Sequence, residues 1–478
     1  MEAAAPVEPT AESTAVVGFS TTAAEPVEGA WWTTFDDALL TSLISRAAAS
    51  NLSLKQAAAR IRQARALRGI VGAPLWPNVD AAAAYTRQRY SDSGPSATPG
   101  QQSDLYQAGF DANWEIDVFG GIRRSIEAAE ATISAAEDDR RAVLVSLLGE
   151  VGGNYVDYRS LQQRISLTVA NVEVQRATLA LTRKLFAAGL ATELDVTRAE
   201  SQVATTESSI PLFEQQARQA MHRLGVLLGQ PPMALRSELD PIGAIPEGPA
   251  LVGVGVPSDL LLRRPDIRRS ERQLAAATAE IGVAVRDLYP RVFITGLAGL
   301  SSVHAGDFFD WGSRVAAIGP SITWPVFDAG RIRANIALQT AQQEELLAAY
   351  EGIILQAFQE VEDALVAYAQ EQVRRDDLAR AVLANQRATD LAQQLYAQGL
   401  TDFLSVLDAE RSLFLSQDAL AQSQRNVALN LVALYKAVGG GWEVEEQVRS
   451  YDSLNTSRAK PSAVAAAWLA ESGTQERR

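Results

Sequence analysis

The sequence predicts a mixed α and β membrane protein. Three chains close a twelve-stranded β-barrel, four strands per chain, that is continuous with a long α-helical barrel, and each chain holds two internal repeats. Three observations lead there. Two uninterrupted helix patterns run from about Ile122 to Phe186 and from about Ile332 to Tyr396. A long strand pattern with one apolar and one charged face precedes the first of them, over Tyr106 to Val118. The two halves of the chain also superpose at an offset of 210, with Gly189 falling on Gly399.

The helix patterns come first because they dominate the chain. No Pro interrupts Ile122 to Ile210, or Val326 to Lys460. At 1.5 Å per residue each run spans roughly 100 Å, several times an ordinary helix. The first carries a coiled-coil spacing through Leu144, Leu148, Val151, Tyr155, Tyr158, Ile165, Val169, Val172 and Leu179. Each run ends in a Gly-centred break, LFAAGLAT and LYAQGLTD. A return helix follows each break, and Pro211 is expected to kink the first one.

In chain order, residues 1–30 are rich in Ala, Glu, Thr and Pro and read as a flexible arm. MEAAAPVEPT is acidic without an apolar core, so it does not read as a signal peptide. That leaves a cytosolic protein, or a chain that starts after a removed signal. From Phe35-Asp36-Asp37 one helix is expected to about Val71, ended by Gly72, Pro74 and Pro77. Strands are expected at about 78–90 and 105–118, and again at about 291–302 and 314–326. The helix ahead of the second pair has Ser258 as its expected N-cap and a second start signal at Asp266. The organisation is thus repeat 1 over 31–229, a Pro- and Gly-rich connector over 230–257, repeat 2 over 258–442 and a mobile tail over 443–478. Gly120-Gly121 needs no phosphate to explain it, since no Lys-Ser/Thr or GxGxxG follows; a tight turn suffices.

The strand of residues 106–118 admits two readings. One is an antiparallel sheet half covered by a helix. The other is a membrane barrel strand, lipid-facing outside and watery inside. Four strands cannot close a barrel, and an open sheet leaves two edges bare in lipid. Cyclic assembly of three chains resolves both difficulties.

Composition removes other classes. The net charge of −14 argues against nucleic acid as a partner. There is no Cys, and the only histidines are His222 and His304. No nucleophile triad, metal-spaced cluster or phosphate loop is present, so neither catalytic residues nor a cofactor or metal site is expected. No apolar run of about 18 residues marks a transmembrane helix.

The stretches WEIDVFGGIRR at 114–124, VPSDLLLRRPDIRRSE at 256–271 and PVFDAGRIR at 325–333, with the two Gly turns, carry a family resemblance. The chain resembles the outer-membrane efflux factors of the TolC class, in particular the OprM/NodT-like lipoprotein branch, over about residues 30–442. The resemblance implies a homotrimeric, passive duct of a tripartite efflux system in the bacterial outer membrane, with a periplasmic helical tunnel. It implies a periplasmic adaptor (membrane fusion) protein and an inner-membrane pump of the RND type as partners, and outer-membrane lipid around the barrel. It puts Gly189, Leu190, Thr192, Gly399, Leu400 and Thr401 at the tips that meet the adaptor. It puts Leu404 and Asp408, with Arg411 as a further member, at the periplasmic gate. The bland reading of Asp408 is an acid favouring the helix N-terminal turn. The lipoprotein branch carries an acylated Cys, and none stands in this sequence, so lipid anchoring stays open. Ducts of the same fold serve type I secretion or metal-ion efflux, and the cargo is not written in the chain. From a different class, a soluble coiled-coil scaffold would spread charge over both strand faces.

Overall fold

The computed structural model describes residues 29–93, 100–249, 252 and 263–443. The expected arm up to residue 28, the Ser258 cap and the tail from residue 444 lie outside the described residues. The chain divides into two compact units. One holds residues 57–139 and 266–353; the other holds residues up to 56, 140–265 and those from 354.

The first unit is built on an antiparallel sheet of β1 (Asn78–Arg89), β2 (Gln102–Ile116), β3 (Arg291–Ser302) and β4 (Arg314–Thr323), in that order. β1 and β4 are its two edges. Pro320 donates no ladder hydrogen bond, which an edge strand such as β4 tolerates. The register opposes Ala83 to Ala108, Ala108 to Leu300, and Leu300 to Arg314. Period-two alternation therefore gathers Val79, Tyr85, Phe110, Trp114, Ile294 and Ile318 on one face. Asp80, Asp111, Asn113, Glu115 and Thr295 lie on the other. Gly109 and Gly299 face each other because the backbones there approach too closely for a side chain: a Cβ on Gly299 would lie 2.5 Å from the Ala108 carbonyl oxygen.

Each strand pair feeds a long helix through a capped turn. Asp117 accepts from the backbone N–H of Ile122 (3.1 Å) and Arg123 (3.0 Å) at the start of α3 (Gly121–Ala187). Asp328 accepts from Gly330 and Ile332, both at 3.0 Å, at the start of a second helix, Arg331–Ala397. Gly120 and Gly330 adopt positive φ, 78° and 86°. Trp114 and Trp324 hold the sheet ends by donating to the carbonyls of Leu75 (3.0 Å) and Leu288 (3.1 Å). Within this unit Arg268 pairs with the buried Asp138 (3.4 Å), and Arg269 with Asp139 (2.8 Å).

The second unit is helical. A 3-10 turn at Trp31–Phe35 leads into α1 (Ala38–Ser50) and α2 (Leu52–Gly72). The single helix expected from about 36 to 71 is thus two. Asn51 breaks it by capping α2 with its side-chain oxygen (Ser53 N–H, 2.8 Å) while its amide donates to the Leu227 carbonyl (2.8 Å). Trp31 is fully buried and stacks on Tyr435 at 5.5 Å, among Leu40, Leu148, Tyr155, Leu224 and Leu431. After α3 come α4 (Glu193–Glu207), α5 (Ser209–Leu227) and the short α6 (Arg236–Leu239). The kink expected at Pro211 is a break at Ser208, about one turn earlier, as follows from a proline's clash with the carbonyl four residues before it. Of the remaining helices, α7 (Pro265–Arg286) belongs to the first unit apart from its first residue, α8 (Arg331–Ala397) belongs to the second from residue 354 on, and α9 (Phe403–Ala437) lies wholly in the second. Arg264, nearly buried, pairs with Glu360 (2.8 Å) and donates to the Ala437 carbonyl (2.9 Å).

One seam position departs from expectation. Val169 is exposed, while Thr168, Gln175, Thr178 and Thr182 are buried in its place. A straight helix of 3.6 residues per turn drifts off a 3.5-residue repeat, and below Tyr158 the buried stripe of α3 mixes Val172 and Leu179 with these polar residues.

Candidate functional site

Two helical hairpins end in turns of the same construction. α3 stops where Gly189 takes φ 75°; the N–H of Leu190 reaches back to the Leu185 carbonyl (2.8 Å) and that of Gly189 to Phe186 (2.9 Å). At the second turn Gly399 has φ 71°, with Leu400 bonded to Leu395 (2.8 Å) and Gly399 to Tyr396 (3.0 Å). This is the Schellman closure, and its left-handed residue carries no Cβ penalty only as glycine. The return helices start on capping side chains. Thr192 and Asp195 form a reciprocal capping box on α4. Asp402 caps α9 by accepting from the Ser405 N–H (3.0 Å) and hydroxyl (2.6 Å), and these bonds hold its carboxyl below the usual range. Thr401 touches the Ser405 hydroxyl at 3.2 Å.

The turns expose apolar side chains. Leu190 is 75% and Leu400 69% exposed, and Leu194 and Leu404 stand beside them on the first turns of α4 and α9. Behind them Leu179, Val203, Tyr396, Phe403 and Val406 make a small core shared by both hairpins. Leu404, Asp408 and Arg411 follow one another at i, i+4 and i+7, so they share one face of α9. All three are exposed, and Leu415 continues their line. The opposite face carries the buried Phe403, Val406, Glu410 and Leu413. Among the described residues neither Asp408 nor Arg411 enters an ion pair.

What joins the hairpins is a polar seam between α3 and α9 that no sequence pattern announced. Asp157 pairs with Arg425 (2.6 Å), Gln163 with Gln424 (3.1 Å), and Asn171 with Gln417 (2.8 Å). Arg164 binds Asp418 through both oxygens, at 2.6 and 3.1 Å, and lies over the Phe213 ring at 4.1 Å. Nearest the turns, the buried Glu410 accepts from Thr178 (2.6 Å) and from Gln393 (2.9 Å). The only signal available was that these positions run antiparallel along the two helices, which is visible once the helices are known to touch. Among the described residues no group of three or more His, Cys, Asp or Glu gathers as a metal site. No helix among them is long and apolar enough to cross a membrane.

The profile of the family described as "Outer membrane efflux protein" matches residues 43–230 and 256–440. The chain belongs to that family. It is 36% identical over 428 residues to the pyoverdine export outer membrane protein OpmQ of Pseudomonas aeruginosa, covering 87% of this chain and 88% of that protein. It is 32% identical over 428 residues to nodulation protein T of Rhizobium leguminosarum bv. trifolii, covering 86% and 88%. Among solved structures, the outer-membrane channel OprN superposes with a TM-score of 0.86 at 37% identity, over 91% of this chain and 96% of that one. VceC of Vibrio cholerae superposes with a TM-score of 0.79 at 28% identity, over 87% and 100%. This member of the outer membrane efflux family is therefore a TolC-like efflux channel of the bacterial outer membrane with a helical periplasmic tunnel. The family is one of ducts, not enzymes, and its members serve tripartite pumps, which implies an adaptor and an inner-membrane pump as partners.

Proposed function

We propose that three copies of the chain assemble into one passive duct. The observation that carries this reading is the sheet: it is long enough to span a bilayer, has one apolar face, and ends in β1 and β4, whose outer edges meet no strand among the described residues. Pairing β4 of one copy with β1 of the next removes every edge and places the apolar face against outer-membrane lipid. The two-repeat reading, 31–229 and 258–442 around a connector, is supported by matching devices: helices α3 and α8 of 67 residues each, the Asp117 and Asp328 caps, the Trp114 and Trp324 hooks, and the Gly189 and Gly399 turns.

At the turns, Gly189, Leu190, Thr192, Gly399, Leu400 and Thr401 form the surface offered to a periplasmic adaptor; the exposed leucines supply apolar contact. Leu404, Asp408 and Arg411 form the gate. Three copies of an exposed leucine with an unpaired carboxylate one turn further along make a ring that narrows the mouth and favours cations. Energy comes from an inner-membrane pump of the RND type, the partner that the family resemblance implies. The cargo is small organic molecules, in line with relatives named for pyoverdine export and toluene efflux.

Light scattering in detergent, with the detergent subtracted, tests the assembly: a protein mass near three chains supports it, and a detergent-free soluble monomer refutes it. Planar-bilayer conductance tests the gate. Asp408→Ala is expected to raise single-channel conductance and weaken cation preference, and an unchanged trace removes Asp408 from the gate.

A further inference from the structure

The apolar face of the sheet carries three arginines. Arg87 faces Asp104 across the β1–β2 ladder (3.6 Å) and Arg89 pairs with Asp92 (3.5 Å). Arg314 has no carboxylate within ion-pair distance among the described residues. It sits in a cross-strand row with Leu300, Ala108 and Ala83. Its guanidinium lies over the indole of Trp311, 3.4 Å from the ring centre, and Trp311 is itself 78% exposed. Beside it runs a shallow trough of about 760 Å³, walled by Ala83, Ala108, Ala298, Leu300, Ala316 and Phe110, with Arg314 in its lining.

Arg314 opens β4, so its guanidinium stands at the end of the span, where a charge costs little and a lipid headgroup can meet it. Its planar fork suits a phosphate, and an apolar trough beside it suits an alkyl chain. We propose that Arg314 and this trough bind a lipid: the phosphate of an anionic phospholipid on the guanidinium, beside Trp311, and one acyl chain along the alanine-walled floor. The proposal rests on the apolar face being the lipid face of the duct. Charge complementarity and continuity with that face select an anionic lipid over a protein segment.

The test uses the full chain purified in a neutral detergent. Lipid retention is read by native mass spectrometry with phosphatidylglycerol, with phosphatidylcholine of the same acyl chains, and with inorganic phosphate as competitor. Wild type is expected to hold phosphatidylglycerol about 10-fold more tightly than phosphatidylcholine, a difference of one decade in Kd, and inorganic phosphate is expected not to displace it. Arg314→Gln should lose that preference, Arg314→Lys should keep part of it, and Ala316→Phe, which fills the trough, should weaken both lipids. Equal retention by Arg314→Gln, equal binding of the two lipids, or displacement by inorganic phosphate overturns the proposal. So does an Arg314→Gln protein that falls into single chains while still holding lipid, because Arg314 then serves the contact between copies. Bilayer conductance separates the two levels. Conducting channels without a phosphatidylglycerol preference defeat this inference alone, whereas a wild type that neither conducts nor takes up lipid defeats the duct reading with it.

Discussion

Replacing Arg164 by Gln, Asp418 by Asn, and then both, measures what the polar seam contributes between the hairpins. The pair joins α3 to α9 across 254 positions of sequence with two hydrogen bonds of 2.6 and 3.1 Å. Its side chains are 18% and 21% exposed. Opposite charges about 4 Å apart attract by about 4 kcal/mol at an effective dielectric near 20. Desolvation removes much of this, and bidentate charge-assisted geometry leaves a net of about 1–2 kcal/mol. Arg164→Gln also loses the Phe213 contact, about 1 kcal/mol more. The single substitutions should therefore cost about 2–3 and 1–2 kcal/mol, with a coupling of about 1–2 kcal/mol in the cycle. The assay is guanidinium unfolding of the detergent-solubilised protein followed by far-UV circular dichroism. A coupling within about 0.3 kcal/mol of zero would refute the reasoning, because independent sites add to that level.

Three further outcomes are expected. Gly299→Val forces a Cβ to 2.5 Å from the Ala108 carbonyl oxygen, so it should abolish accumulation in the outer-membrane fraction; Gly319→Ala, with nothing within 4 Å, should accumulate normally, and equal yields would contradict the close approach. Tyr155 and Tyr368 are both pushed up to about 12, chiefly by burial, and for Tyr155 also by its bond to Asp37. Because the folded value lies above the ordinary 10.0, the stabilisation is complete below pH 10 and is lost as pH rises through 12, up to roughly 2–3 kcal/mol per residue; Tyr155→Phe with Tyr368→Phe should flatten the fall in an alkaline unfolding series, and an unaltered slope would count against it. Asn51→Ala removes the α2 cap and the bond to Leu227, lowering unfolding free energy by about 2 kcal/mol, while Asn51→Asp keeps the cap and should recover about half on the same guanidinium curve.

Features that depend on neighbours a few residues away were legible in the chain. The alternation through Tyr106, Phe110 and Trp114 assigns those side chains to one face because a strand has period two. Gly189 and Gly399 mark helix ends because the left-handed conformation there excludes a Cβ. Leu404 and Asp408 share a face because four residues make about one turn. Tertiary structure decided everything that depends on a partner far along the chain. Gln163, Arg164, Asn171 and Thr178 look like a solvated helix face in sequence, yet they meet Gln424, Asp418, Gln417 and Glu410. Asn51 ends a helix that its local pattern would continue, because the Leu227 carbonyl needs a donor. Among the arginines of RRPDIRR, Arg264 and Arg268 find Glu360 and Asp138, acids that no spacing rule connects to them. Apolar burial leaves a periodic trace because each hydrophobic side chain avoids water whatever covers it. Polar burial leaves none, because such a group is tolerated inside only when its own partner is in place, and where that partner lies is a property of the folded chain.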